Sequence, residues 1–199
     1  MAVPGDWDFS YPDWELNTDF YTSAPSSIRI EGNDTDPRGI VALCKKAASL
    51  DLPQGRIVTQ ARRGFRARPA FYFRNQAAFG SSNNANTYRL YLYDTTFLLQ
   101  RIVAGVQTAL DTWGGSWWTQ DAWHLIRLTW WVAYNKQNVA SLAIRLEYWD
   151  GANWIINRTY YDTANRWETS GINRCGPGTH SSPGRFTYFD DTEIWAPSE

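Results

Sequence analysis

Residues 141–149 read Ser-Leu-Ala-Ile-Arg-Leu-Glu-Tyr-Trp, a segment in which apolar residues largely recur at every second position. In an extended chain Leu142, Ile144 and Leu146 lie on one side and Arg145 lies on the other, the pattern of a strand with one buried face. The same alternation recurs in three further aromatic-rich segments, 88–94, 123–132 and 185–195. Together these segments predict an all-β protein, an antiparallel β-sandwich of two sheets.

Ten strand candidates follow one another along the chain. They are 26–31, 39–49, 55–63, 70–76, 87–94, 97–103, 122–133, 140–149, 153–161 and 185–195. Turn residues separate them, and Asp150-Gly151 is the clearest hairpin signal. Residues 39–50 could instead hold a helical turn, and the Gly- and Pro-rich residues 170–184 predict a long loop. So many short strands without a long helix predict a double-sheet jelly roll.

The chain forms one predicted domain, because its 199 residues contain no interdomain linker and no internal repeat. Sandwiches of this length are often single domains. Residues 1–25 are rich in aromatic residues and proline. They predict an ordered N-terminal segment that packs on the sandwich within a jelly-roll domain spanning 1–199.

Charge and composition narrow the class of partner. The formal net charge is −1, so no long-range attraction to nucleic acid or to an anionic membrane is expected. Aromatic residues make up 16% of the chain, and arginine supplies all but three of the 19 basic residues. Such residues favour contact surfaces. The N-terminus has no signal-peptide pattern and no segment reads as a membrane span. Either a signal has been removed, or the protein is made in the cytosol and leaves the cell by lysis or by dedicated secretion. With both possibilities open, we expect a virion or another extracellular assembly.

The order of the strand motifs supports a family resemblance. The motifs are Ala70-Phe-Tyr-Phe-Arg74, Tyr88-Arg-Leu-Tyr-Leu92, Leu99-Gln-Arg-Ile-Val-Ala-Gly105, Trp123-His-Leu-Ile-Arg-Leu128, Ile144-Arg-Leu-Glu-Tyr-Trp-Asp-Gly151, Asp162 leading to Ser170-Gly171, and Tyr188-Phe-Asp-Asp-Thr-Glu-Ile194. In this order they resemble the concanavalin A-like lectin/glucanase superfamily, which includes laminin-G-like jelly-roll domains. The resemblance implies a two-sheet jelly roll whose last strand returns to lie near the N-terminal segment.

Catalytic motifs are not found in the sequence. Glycoside hydrolases of the superfamily carry a Glu-x-Asp-x-x-Glu arrangement on one strand, with two carboxylates placed for acid and nucleophile roles. Glu147 and Asp150 lie three apart and would face opposite sides, whereas Asp191 and Glu193 lie in the closing strand. No nucleophile elbow or metalloprotease helix is present either. The sequence therefore predicts a protein that is not an enzyme.

Calcium is the one cofactor to consider, because many jelly-roll sugar-binding domains hold a structural calcium ion. Asp6, Asp8, Asp190 and Asp191 would supply its carboxylate oxygens if the first and last segments meet. The alternative is structural, with Asp190 and Asp191 capping a turn.

The two cysteines also leave two possibilities open. Cys44 and Cys175 could form a disulfide that closes a long loop, or could be two reduced thiols with Cys44 packed in the core.

Alternation also predicts an outward, polar and aromatic face on the sandwich. Its residues are Tyr72, Arg74, Arg89, Tyr91, Arg127, Trp131, Arg145 and Glu147, with Tyr93 beside them. Indole and phenol rings stack on sugar rings, while arginine and glutamate bind hydroxyl groups. The alternative is that loops or the N-terminal segment cover these rings.

The loop 111–120 carries three further tryptophans, Trp113, Trp117 and Trp118. Exposed tryptophans in a loop indicate a contact surface. The alternative is a loop that folds back over the edge of the sandwich.

Three functions follow. The first choice is a non-catalytic binding or structural module that docks on protein subunits, such as a decoration, capsid-associated or tail protein of a phage or virus. The close alternative is a lectin-like module that binds carbohydrate. The third is a glycan-processing hydrolase. Partners are thus protein subunits or glycans.

Overall fold

The computed structural model describes residues 7–9, 14–17, 27–31, 40–44, 52–76, 86–165, 174–179 and 184–195. These residues form fourteen strands: β1 (Trp7–Phe9), β2 (Trp14–Asn17), β3 (Ser27–Glu31), β4 (Ile40–Cys44), β5 (Gly55–Arg63), β6 (Pro69–Asn75), β7 (Thr87–Leu92), β8 (Thr96–Val103), β9 (Val106–Gly114), β10 (His124–Tyr134), β11 (Ala140–Trp149), β12 (Trp154–Asp162), β13 (Arg174–Thr179) and β14 (Phe186–Trp195). No helix within these ranges is long and apolar enough to cross a membrane.

The strands make two antiparallel sheets of seven. The first sheet has the order β1-β4-β13-β6-β7-β8-β9, and the second has the order β12-β11-β10-β5-β14-β3-β2. The predicted two-sheet jelly roll is confirmed. The last strand, β14, pairs with β3 on one side and with β5 on the other, so it returns beside the N-terminal strands as the resemblance implied.

The core lies between the sheets, where large aromatic rings pack among aliphatic side chains. Phe73 of the first sheet stacks on Tyr88 at 5.5 Å and meets Trp130 of the second sheet at 5.3 Å between ring centroids. The Trp130 indole N–H donates to the Leu52 carbonyl at 3.2 Å, so burial of this large ring leaves no polar atom unsatisfied.

Alternation in β10 and β11 is confirmed by their register. Leu128 pairs with Leu146 and Trp130 pairs with Ile144, and all four are buried in the core. Thr129 pairs with Arg145 on the outer face between them. The sequence therefore predicted the buried side of both strands and the bounds of β11 correctly, whereas β10 was predicted as 122–133 and spans His124–Tyr134.

Two strands lie where the sequence predicted loops. β13 (Arg174–Thr179) lies inside the predicted 170–184 loop and runs between β4 and β6. Its sequence, Arg-Cys-Gly-Pro-Gly-Thr, has the composition of a turn, yet five of its six residues are buried. Proline is rare in central strands because it lacks an N–H group, which explains the wrong prediction. β9 (Val106–Gly114) overlaps the predicted tryptophan loop.

The region 39–50 contains β4 (Ile40–Cys44), so strand rather than helix is correct there, and the remainder of that region lies outside the described residues.

Candidate functional site

Four predicted surface residues come together on the outer face of the second sheet. We call Arg127, Trp131, Arg145, Glu147 and Trp154 the platform. Arg127 donates to both carboxylate oxygens of Glu147, with distances of 2.7 Å from Nε and 2.6 Å from Nη2. The same guanidinium group lies 4.2 Å from the Trp154 ring centroid, and the Arg145 guanidinium lies 5.0 Å from the Trp131 ring.

The platform groups are largely occupied by one another. Only 7% of the Glu147 side chain is exposed, and both of its oxygens accept from Arg127. Each indole ring already carries a guanidinium group over it, a favourable cation–π contact. The acceptors of the platform are therefore occupied, whereas hydrogen-bond donors remain on Arg145, whose Nε donates to Thr159 Oγ1 at 3.3 Å.

The outer face of the first sheet holds Tyr72, Arg89 and Tyr91, and all three are buried rather than open. Arg89 donates from Nη2 to the Gln100 Oε1 atom at 2.7 Å. Its guanidinium lies 4.1 Å from the Tyr91 ring centroid and 5.9 Å from that of Tyr72. The alternative of covered rings thus describes this face, and burial also raises the pKa of the Tyr91 phenol well above its ordinary value.

Arg74, also predicted on that face, has a structural position instead. Its backbone is in the left-handed region with φ of 46°, which turns the side chain away from strand alternation. Nε donates to the Pro53 carbonyl at 2.6 Å and Nη1 donates to Asn165 Oδ1 at 2.7 Å. Arg74 is fully buried and joins three segments of the chain.

The tryptophan loop folds back over one end of the core. Trp117 stacks on Tyr148 with a centroid distance of 4.4 Å and an interplanar angle of 12°. Trp118 is 1% exposed, and the two indoles touch at 5.8 Å. Trp113 is half-buried and donates from Nε1 to Asn157 Oδ1 at 2.5 Å. These tryptophans do not form the exposed contact surface expected from their loop position, because they close the core.

Arginines from several loops line a cavity of about 320 Å³. It is lined by Arg66, Arg68, Tyr93, Asp94 and Arg185, and we call it the arginine cavity. The Arg68 guanidinium lies 4.8 Å from the Tyr93 ring centroid. Tyr93 in turn meets Tyr91 edge-on at 5.8 Å, so the cavity is continuous with the buried aromatic cluster of the first sheet.

Asp94 supplies a carboxylate to the cavity, and the side chain of Arg63 fixes its position. Arg63 at the end of β5 donates from Nη1 to Asp94 Oδ1 at 2.6 Å. Only 6% of the Arg63 side chain is exposed, against 67% of the Asp94 side chain. The buried arginine therefore fixes the aspartate, while the rest of that carboxylate faces solvent.

Local backbone chemistry brings these residues together from three loops. The Ala67 N–H donates to the Gly64 carbonyl at 3.1 Å, which makes a tight turn between β5 and β6, and the Gly64 N–H donates to the Phe186 carbonyl at 2.9 Å, which holds this turn beside the start of β14. Arg66 has φ of 54° in this turn. The Tyr93 N–H donates to the Thr96 carbonyl at 2.9 Å and closes the β7–β8 turn.

Sequence reasoning reached Tyr93 but missed the other lining residues. A signal was present, because residues 62–68 read Arg-Arg-Gly-Phe-Arg-Ala-Arg, with four arginines in seven positions. Arg185 and Asp94 carry no comparable signal. They join the cavity through strand order, which no local pattern in the sequence reveals.

The predicted calcium ligands do not gather among the described residues. Asp8 lies in β1 of the first sheet, whereas Asp190 and Asp191 lie in β14 of the second. Asp6 lies outside the described residues. Asp190 is 2% exposed, and its Oδ1 atom accepts the Asp191 N–H at 2.8 Å beside a φ of 47°, which fits the turn-capping alternative. The described residues include no group of three or more metal-ligating side chains.

The two cysteines lie on neighbouring strands of the first sheet. Cys175 is buried in β13 and Cys44 ends β4. The register pairs Gly178 with Val41, and continuing it by three residues sets Cys175 opposite Cys44. The Cys44 side chain lies outside the described part, so the disulfide stays a prediction.

No protein-family model and no curated protein matches the chain. Solved structures do match. A carbohydrate-binding module, CBM66 from Bacillus subtilis, has a TM-score of 0.56 and 11% identity, covering 95% of this chain and 94% of the module. The exoplasmic/lumenal domain of VIP36 in its Ca²⁺/Man3GlcNAc-bound form has a TM-score of 0.59 and 11% identity, covering 98% and 87%.

A marine PL-14 alginate lyase from Aplysia kurodai has a TM-score of 0.55 and 14% identity, covering 93% of this chain and 87% of the lyase. Binding modules, lectin domains and an enzyme thus share this architecture, and identities this low establish architecture alone. The chain has a two-sheet, concanavalin A-like jelly-roll fold.

Proposed function

We propose that this protein is a non-catalytic carbohydrate-binding domain whose binding site is the arginine cavity. The carrying observation is the lining itself, in which one tyrosine ring, three guanidinium groups and one carboxylate surround about 320 Å³. Small-molecule sites are concave, in this range of volume, and combine ring surface with a few convergent polar groups.

The lining suits the chemistry of a sugar. A hydroxyl group both donates and accepts a hydrogen bond. The guanidinium groups of Arg66 and Arg185 donate, and the exposed part of the Asp94 carboxylate accepts. Tyr93 adds ring surface and a phenolic hydroxyl. The platform lacks a free acceptor, because both carboxylate oxygens of Glu147 already accept from Arg127.

The comparisons add support of a limited kind. CBM66 is by name a carbohydrate-binding module, and the VIP36 domain is described with Man3GlcNAc bound. Both match most of this chain, so its architecture is shared with proteins that are described as binding carbohydrate. The prediction of docking on protein subunits of a phage or virus gains no comparable support and stays a prediction, as does the location on a virion or extracellular assembly.

Absence of catalysis is part of the proposal. Among the described residues that line the cavity, Asp94 is the only carboxylate, and it is ion-paired with Arg63. A pair of carboxylates is what glycoside hydrolysis requires. Tyr91, behind Tyr93, has its pKa raised by burial, so its phenol stays protonated and does not serve as a base at neutral pH. Incubation with a polysaccharide panel and analysis for shortened or unsaturated products tests this, and any turnover by the full chain contradicts it.

A glycan array with the full chain and three variants tests the binding proposal. We expect the wild type to bind at least one glycan, and Arg66→Ala/Arg185→Ala to bind it about ten-fold or more weakly, because two donors are lost. Arg56→Ala is the matched control, since Arg56 is an exposed arginine on β5 that does not line the cavity. Trp131→Ala reports on the platform. If Trp131→Ala is the only variant that loses binding, the glycan binds at the platform and not in the arginine cavity. If the wild type binds no glycan, the proposed function is rejected.

A further inference from the structure

We propose that the arginine cavity selects acidic sugars, binding the oxyanion of a uronate carboxylate or a sulfate ester. This inference rests on the proposed function and specifies its ligand class. Three arginines and one aspartate line the cavity. The chain as a whole has a formal charge of −1, so this positive cluster is local and does not reflect a basic protein.

The single carboxylate does not cancel the arginines of the lining. Asp94 Oδ1 accepts from Arg63, a fourth arginine that lies behind it and outside the lining. Within the described part of the chain neither Arg66 nor Arg185 has an ion-pair partner. No described carboxylate is therefore paired with these two positive charges, and a neutral sugar would not supply one.

The guanidinium groups are also oriented by aromatic rings. Arg66 lies over the Phe65 ring at 5.1 Å and Arg68 lies over the Tyr93 ring at 4.8 Å. Stacking uses the face of a guanidinium group, whereas its N–H donors lie in its plane. In that plane they match the two oxygens of a carboxylate, and such charge-assisted bonds are about twice as strong as neutral ones. An oxyanion can therefore form a bidentate, charge-assisted pair with an arginine of the cavity, which a hydroxyl group cannot form.

Exposure allows a ligand to reach these groups. Arg66 and Asp94 are exposed, and Arg185 and Tyr93 are half-buried, so the cavity opens to solvent with a ring at its wall. A sugar ring against Tyr93 would carry its acidic substituent towards the arginines. A free inorganic anion would use the arginines alone and would gain no contact with the Tyr93 ring.

Calorimetric titration of the full chain with matched glycans tests the inference. The probes are oligomers of galacturonate, mannuronate and guluronate, each with its neutral methyl ester, and a sulfated galactan oligosaccharide with its desulfated form. Sodium sulfate serves as the free anion. We expect at least one acidic probe to bind about ten-fold or more tightly than its neutral counterpart. Which pair shows the difference identifies carboxylate or sulfate.

Variants locate that preference. Arg66→Gln/Arg185→Gln is expected to reduce the acid-to-neutral ratio to near one, while Arg56→Gln, with one positive charge removed far along β5, keeps it. Thermal unfolding of each variant shows that the fold is retained. Equal binding of acidic and neutral forms in the cavity overturns the inference and leaves the carbohydrate-binding function standing. Equal affinity for sodium sulfate and for the acidic glycans also overturns it, and failure of every glycan rejects both.

Discussion

At the scale of single residues, Gly115 shows how the tryptophan loop is held. A Cβ atom at this position would lie 2.0 Å from Cζ of Phe97, and the Gly115 N–H donates to the Thr95 carbonyl at 2.9 Å. The backbone here therefore presses directly on a buried ring. Phe97 also contacts Trp117 at 5.5 Å between ring centroids, so a displacement of Phe97 would also disturb the stack of Trp117 on Tyr148.

We expect Gly115→Ala to lower the free energy of unfolding by about 1–3 kcal/mol, the usual cost of overpacking a core. Gly114→Ala is the matched control, because a Cβ there meets only the Thr95 carbonyl oxygen at an ordinary 3.8 Å. Urea denaturation of both variants measures the difference. Equal unfolding midpoints for the two variants would show that the loop moves without cost.

His124 makes stability depend on pH. Its Nε2 atom accepts the Thr119 N–H at 3.2 Å, and its ring meets Trp118 at 4.9 Å. Burial lowers the pKa of the imidazole, and the nearby Arg63 charge lowers it further. Because the folded pKa is below the unfolded value of about 6.5, the unfolded chain binds the proton first as pH falls. The neutral histidine therefore contributes stability above about pH 6.5 that is lost progressively below it.

We expect His124→Gln to reduce this pH dependence, since glutamine keeps an acceptor and does not titrate. Between about pH 7.5 and 5.5 the wild type should lose up to about 1.4 kcal/mol more per pH unit than the variant. Parallel urea titrations give the difference, in which shared carboxylate effects cancel. Parallel stability curves would mean that His124 is protonated in the folded protein without cost.

At the scale of elements, the Arg127–Glu147 pair joins β10 to β11 across the outer face. Glu147 is nearly buried, so loss of Arg127 leaves its carboxylate without a counter-charge. We expect Arg127→Met to lower the free energy of unfolding by about 2–4 kcal/mol, less than for a fully buried pair because Arg127 is partly solvated. Arg127→Met/Glu147→Leu should recover most of it. A double variant no more stable than Arg127→Met would contradict this account, as measured by chemical denaturation.

The elements also show what sequence could predict. β11 was predicted with its correct bounds because it pairs on both sides and buries one face, which enforces alternation. β13 was missed because Gly176, Pro177 and Gly178 fill a central strand with residues that usually mark turns. The buried positions of Tyr72 and Tyr91 were missed for a different reason. Alternation tells which side of a strand a residue lies on, and it does not tell what covers that side.

At the scale of the whole molecule, the sandwich carries two arginine-rich surfaces with different roles, the platform and the arginine cavity. On the platform each arginine is matched by a carboxylate or a ring, so charge serves the packing of the sheet. In the arginine cavity, loops from β5–β6, β7–β8 and the segment before β14 converge, and arginines outnumber carboxylates. In the amino-acid composition the two sets of arginines are counted together, and the formal net charge of the chain is only −1. Only strand order separates them, which is why the sequence pointed to the platform and not to the cavity.

Asp94 links the stability of the molecule to the charge of its cavity. It neutralises the nearly buried Arg63, and it also places a negative charge beside the proposed ligand. We expect Asp94→Asn to lower the free energy of unfolding by about 1–3 kcal/mol, because Arg63 loses its counter-charge. The same substitution should raise affinity for an acidic glycan about three- to ten-fold, since a like charge is removed.

Asp121→Asn is the matched control for that trade-off. Asp121 also pairs with an arginine, Arg62, but at 3.4 Å, with a side chain 52% exposed and outside the cavity lining. Its removal should change stability by less than about 1 kcal/mol and leave glycan affinity unchanged. Denaturation and calorimetric titration of the two variants measure both quantities. If Asp94→Asn weakens binding of the acidic glycan, the hydrogen bonds that this carboxylate accepts outweigh its like charge, and the cavity recognises the sugar ring more strongly than its charge.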